Sequence, residues 1–166
     1  MKQFIIGLLI GLLYFISSSA YSCSVPPRLQ SVPALELINR TNNIVLATVF
    51  RAELQDDGLL YTFKDVRVLK GTAYEGLSIL GAPLFNNGLN SFNNHKDKEF
   101  WTNYGGRVFN GTDCEIRPPF VVGLTYLLFL DKPFHTKSFE LIIRTHGSES
   151  VKDQWLQYVE KHIPNK

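Results

Sequence analysis

Only two cysteines, one methionine and two tryptophans occur among the 166 residues, and the scarcity of cysteine is the first constraint. A structural zinc site wants four ligands. Cys23 and Cys114 cannot supply them, and His95, His135, His146 and His162 are scattered without ligand spacing. Excess charge of either sign is also lacking: the formal net charge is +2 with pI near 8.5. No cluster of Lys and Arg appears, which argues against nucleic acid or an anionic membrane surface as partner. After the first sixteen residues no apolar run is long enough to cross a bilayer, because the best, 120–130, is broken by Gly123 and Thr125. Catalytic signatures are missing as well. There is no G-x-S-x-G elbow, H-E-x-x-H pair or G-x-x-x-x-G-K-[ST] loop. The four histidines sit in or beside polar segments and read as solvated. His95 with Asp97 and Glu99 is a cluster that a hydrolase could use, but its spacing is non-specific. The expectation is a non-enzymatic protein with no cofactor and no metal of its own.

What is present begins with the leader. Lys2, the apolar run from Phe4 to Ile16 and the small polar stretch from Ser17 to Ser22 have the three parts of a secretory signal peptide. A cut after Ser22 makes Cys23 the first residue of the mature chain and gives it a free α-amino group. A cut after Ala20 would leave Tyr21 and Ser22 ahead of it. Lipidation at Cys23 is a lesser alternative, since Ala20-Tyr21-Ser22 lacks the leucine-like residue three before the cysteine. The expected location is secreted or periplasmic. The remaining stretch, about 144 residues, suits one domain, and 45% hydrophobic and 13% aromatic residues suffice for a packed core. In an oxidising compartment an even pair of cysteines reads as a Cys23–Cys114 disulfide. Its loop of roughly 90 residues would contribute about 4–5 kcal/mol in the chain-entropy account.

Pro26-Pro27 gives an extended start, and Pro33 opens a short helix over Ala34 to Ile38. Residues 43–54 and 59–69 read as strands joined at the turn signal Asp57-Gly58. In the second, alternation assigns Tyr61, Phe63 and Leu69 to one face and Thr62, Lys64, Val66 and Val68 to the other. Residues 77–82, 125–130 and 139–144 read as further strands. A closing helix is expected with Ser148 as cap and Val151, Trp155, Val159 and Ile163 as its apolar stripe. Residues 84–113 stand apart as an Asn- and Gly-rich insertion carrying Phe92, Phe100, Trp101, Tyr104 and Phe109. These aromatics read either as pins holding the insertion down or as an exposed recognition surface. Asn39-Arg40-Thr41 and Asn110-Gly111-Thr112 match the glycosylation sequon, relevant only in a eukaryotic secretory pathway. The fold class is mainly β: a small, closed antiparallel barrel of OB-fold type with a short N-terminal and a C-terminal helix.

The order of Cys23-Ser24-Val25-Pro26-Pro27, a short helix, a strand pair ending Val66-Arg67-Val68-Leu69-Lys70-Gly71, then Cys114 and Gly123-Leu124-Thr125-Tyr126-Leu127-Leu128-Phe129-Leu130 resembles the netrin-like domain of tissue inhibitors of metalloproteinases and their compact bacterial relatives. The resemblance covers most of residues 23–145. It implies a terminal cysteine tied to the mid-chain cysteine, with the amine and carbonyl of Cys23 chelating the zinc of a target protease and Ser24 entering its pocket. A neutral amine and a carbonyl oxygen can fill open positions on a catalytic zinc. Val25 stands where the inhibitors usually have a further cysteine, and residues 145–147 lack its partner. The leading expectation is a secreted binding module that inhibits a zinc metalloprotease or binds another extracellular protein. The alternative is recognition of glycan, peptide or protein through the 84–113 aromatics, and a hydrolase is the least favoured.

Overall fold

The computed structural model describes residues 27–72, 75–83, 93–106, 114–143 and 153–164. The leader, Cys23, Ser24, the remainder of the 84–113 stretch and Ser148 lie outside them. A 3-10 turn at Pro27–Leu29 leads to helix α1 (Ala34–Arg40), strands β1 (Ile44–Gln55), β2 (Gly58–Lys70) and β3 (Ser78–Gly81), helix α2 (Lys98–Thr102), strands β4 (Thr125–Phe129) and β5 (Phe139–Ile143), and helix α3 (Gln154–His162). The strands form one antiparallel sheet in the order β3-β2-β1-β4-β5.

The sheet is open, which corrects the expected closed barrel. Its outer strands β3 and β5 have four and five residues and do not pair with each other. The segment carrying Pro118 and Pro119 runs beside the end of β3, where Ala82 N–H donates to Pro118 O at 3.3 Å. Two consecutive prolines have no N–H to continue a ladder. The Phe120 ring fills the concave face instead, meeting Tyr61, Phe63, Tyr126 and Phe139 edge-on at centroid distances of 5.1, 5.1, 4.9 and 5.7 Å. Val45, Ala47, Val49, Ile79, Ile116 and Leu128 complete this side of the core.

The opposite face carries the helices. Leu37 and Ile38 of α1, Phe100 of α2, and Trp155, Leu156 and Val159 of α3 pack on Ile44, Leu46, Leu127, Phe129 and Ile142. Being covered on both sides, β1 is buried continuously from Ile44 to Val49, the pattern of a central strand.

Two local features depart from the sequence reading. Asp65 has a left-handed φ of 54°, and the β1–β2 register shifts between Leu46/Arg67 and Thr48/Lys64. The extra residue reverses the parity of β2. Val66 and Val68 therefore join Tyr61 and Phe63 against the concave cluster, while Leu69 packs with the helices. At α3 the cap is Asp153, whose Oδ1 accepts from Leu156 N–H at 2.9 Å. Trp155 and Val159 are buried as the stripe required, Ile163 is the C-cap, and Val151 lies outside the described residues.

Candidate functional site

The cysteine end of the molecule is built by three chain segments. Cys114 has a left-handed φ of 60°, and its carbonyl accepts from Gln30 Nε2 at 2.7 Å. Next to it, Glu115 accepts from Lys132 Nζ at 2.8 Å. Lys132 belongs with Asp131 and Pro133 to a turn that lines, together with Leu29, Leu37, Arg40 and Thr41, a cavity of about 170 Å³. The turn is tied down by Asp131, whose carboxylate accepts from Asn42 N–H, Asn42 Nδ2 and Asn43 N–H at 2.9, 2.7 and 3.1 Å. Behind it, buried His135 accepts from Lys137 N–H through Nδ1 at 2.9 Å, which leaves the ring proton on Nε2 to donate to Val32 O at 3.1 Å. Burial, then the nearby Arg40 charge, lowers His135 to about 4, so the ring is neutral at ordinary pH. Cys23 and Ser24 lie outside the described residues. Gln30 follows Cys23 by seven residues, a contour of about 25 Å at full extension, so Cys114 is within chain reach of Cys23.

A second polar group lies in the interior, and sequence reasoning missed it. His95 is 3% exposed rather than solvated. Its Nδ1 lies 2.8 Å from Asp153 Oδ2 and its Nε2 3.1 Å from Glu140 Oε2. Burial by itself would lower the imidazole pKa, but the two hydrogen-bonded carboxylates outweigh it and hold His95 at about 9. The local backbone aims the ring inward. Asn94 and His95 both adopt φ of 56°, a region these residue types tolerate better than most. Gln154 N–H donates to Asn94 O at 3.2 Å, and Trp101 Nε1 donates to His95 O at 2.8 Å. Lys137, 2% exposed, sits on the other side of Phe100. Its Nζ reaches Phe100 O at 2.5 Å and Asn103 O at 2.8 Å and lies 4.4 Å from the Phe100 ring centre. Burial lowers the Lys137 pKa while Glu140 raises it.

This arrangement holds an imidazolium rather than poising a base. Both ring nitrogens face carboxylates, which leaves neither as a lone pair for a substrate proton. Asp97 and Glu99, the expected neighbours of His95, belong to the start of α2, where Asp97 Oδ1 caps Glu99 N–H at 2.9 Å. The sequence signal for the true partners was weak but present: Glu140 is an acidic residue inside the apolar run of β5, and Asp153 directly precedes an apolar helix face. Among the described residues, no group of three or more His, Cys, Asp and Glu side chains could hold a metal ion. The aromatics of the 93–106 segment divide. Phe100 is buried against Trp155 at 5.4 Å, Trp101 is half-buried against Trp155 and Tyr158 at 5.9 and 5.2 Å, and Tyr104 is 59% exposed. Phe92 and Phe109 lie outside the described residues.

Comparison of the chain with family models, with curated proteins and with solved structures found no match. No helix among the described residues is long and apolar enough to cross a membrane.

Proposed function

We propose that the protein is a secreted or periplasmic, non-enzymatic binding module of netrin-like type, acting on a zinc metalloprotease through the amine and carbonyl of Cys23 with Ser24 in the protease pocket. The observation that carries this reading is the Gln30–Cys114 contact at 2.7 Å. It ties the beginning of the described chain to the mid-chain cysteine, as a terminus anchored by a Cys23–Cys114 disulfide requires. Further support comes from the antiparallel sheet with its flanking helices and from the interior burial of His95. A crosslinked terminus has less conformational freedom to lose on binding, which favours affinity.

The test is the mature N-terminus, read by mass spectrometry, followed by inhibition assays against a panel of zinc metalloproteases. The expected result is a mature chain starting at Cys23, an inhibited protease, and loss of inhibition when one alanine is inserted before Cys23. Inhibition that survives the insertion, or none across the panel, overturns the zinc-chelating mechanism.

A further inference from the structure

The β1–β2 hairpin extends well past the rest of the sheet. β4 pairs with β1 only from Ile44 to Thr48, after which Val49 exchanges hydrogen bonds with Leu124 and Gly123. The β1–β2 register shifts between Val49 and Arg51, leaving Phe50 unpaired, and from Arg51 to Gln55 the side of β1 facing away from β2 has no strand beside it among the described residues. This bare edge is about 17 Å long at ordinary strand rise. It is not blunted by proline or by a run of like charge, the usual protections of an edge. Leu54 on it is 81% exposed, and Phe50 at the bulge before it is 56% exposed.

Ladder parity defines what the edge offers. Gln55 and Gly58 flank a two-residue turn and form a hydrogen-bonded pair, so Glu53 and Arg51 also bond toward β2. The backbone N–H and C=O of Ala52 and Leu54 point outward. The side chains alternate too: Arg51 and Glu53 share one face, where they bridge at 2.9 Å while remaining largely exposed.

We propose that this edge is a dimerisation surface for a second copy of the same chain, with two β1 strands pairing antiparallel about Ala52. A two-fold axis at Ala52 places its outward N–H and C=O against those of the other Ala52. Arg51 then stands opposite Glu53 of the second copy, and Glu53 opposite its Arg51. The neighbouring registers are worse. An axis at Glu53 sets two carboxylates face to face, and an axis at Leu54 gives Glu53 no opposite charge. The segment Arg51-Ala52-Glu53 is self-complementary in charge, as an isologous contact demands. At Val49 the edge is closed by Leu124 and Gly123, so the pairing stops after two copies rather than continuing along the strand. A strand pair of this length buries less than the roughly 1,200 Å² of small stable interfaces, and the dimer is therefore reversible.

The experiment is sedimentation equilibrium of the full secreted chain across micromolar to near-millimolar concentration, at low and high salt. The natural chain is expected to dimerise reversibly, and more weakly at high salt. Arg51→Glu and Glu53→Arg should each weaken self-association at least about tenfold, by setting like charges opposite at two places. Mixing these two variants should restore a dimer, because every pair is again of opposite charge. Ala52→Pro should be monomeric with an unchanged circular dichroism spectrum, since it removes only an outward N–H. A natural chain that stays monomeric throughout overturns the proposal, even if a foreign strand is found to occupy the edge. Charge reversals without effect, or variants that fail to pair on mixing, overturn it equally.

Discussion

The imidazole of His95 and the carboxylate of Asp153, 58 positions apart in the chain, meet at 2.8 Å in the protein interior. The contact joins the segment ahead of α2 to the first turn of α3, and Glu140 adds β5 to the same knot at 3.1 Å. One side chain thus fastens three parts of the fold that have no backbone continuity. Glu140 and Asp153 are buried acceptors that need a positive donor between them.

His95 and His135 should shape the stability profile from opposite sides. The folded-state value of His95 lies above the ordinary 6.5, at about 9. Its contribution is full below about pH 6.5 and is lost as pH rises through about 9. His135 is the reverse, with a folded value of about 4. Its environment costs nothing above about pH 6.5 and destabilises increasingly as pH falls toward about 4. Thermal melting followed by circular dichroism should show greatest stability near pH 6.5. His95→Gln should flatten the alkaline limb and His135→Gln should soften the acid one. A natural chain as stable at pH 9.5 as at pH 6.5 contradicts the assignment to His95.

Removing the imidazole should be severe. His95→Ala leaves two buried carboxylates without their cation, a change expected to cost about 3–5 kcal/mol. Asp153→Asn separates two roles, because the amide oxygen can still cap Leu156 while the charge opposite His95 is gone. Urea titration should place Asp153→Asn between the natural chain and Asp153→Ala, which loses the cap as well, worth about 1 kcal/mol. Equal losses in the two variants would mean that the charge contributes everything and the cap nothing.

Trp155 is fully buried and is the common neighbour of Phe100, Trp101, Phe129 and Tyr158. Trp155→Ala should destabilise the protein by about 3–5 kcal/mol. Chemical denaturation decides this, and a loss below about 1 kcal/mol would show that α3 is not integral to the core.

Gly81 offers a test of the concave side. A Cβ there would lie 2.1 Å from Pro118 O and 2.9 Å from Tyr61 Cε2. Gly81→Ala should therefore push the 116–120 segment off β3, at a cost of about 1–3 kcal/mol. Faster chymotryptic cleavage after Phe120 would report that displacement, whereas unchanged stability and cleavage would refute the close approach.

Strand positions were legible in the sequence because β-branched and aromatic runs punctuated by Gly and Pro mark them locally. The hairpin signal at Asp57-Gly58 was off by one: Asp56 and Asp57 make the turn, and Gly58 opens β2 with φ of 149°. Facing was legible only as far as Asp65, because a single left-handed residue inverts every side chain beyond it and aspartate gives no firm warning of doing so. The closed barrel failed at a longer range. Whether β3 meets β5 depends on where Pro118-Pro119 lies in space, and no local pattern encodes that. The histidine knot was hidden for the same reason, since the partners of His95 come from β5 and α3 rather than from its own polar segment. The Gln30 contact to Cys114 and the Lys132 contact to Glu115 needed the fold.

The aromatic cluster also has an optical consequence. Trp101 and Trp155 are the chain's full complement of tryptophan, and their rings lie 5.9 Å apart. Trp101 belongs to α2 and Trp155 to α3, so all indole emission arises at the seam between these helices. The fluorescence of the intact protein is in effect a gauge of whether α2 is docked. Loosening that seam while the sheet stays folded will change the emission and the near-ultraviolet dichroism before the far-ultraviolet signal moves.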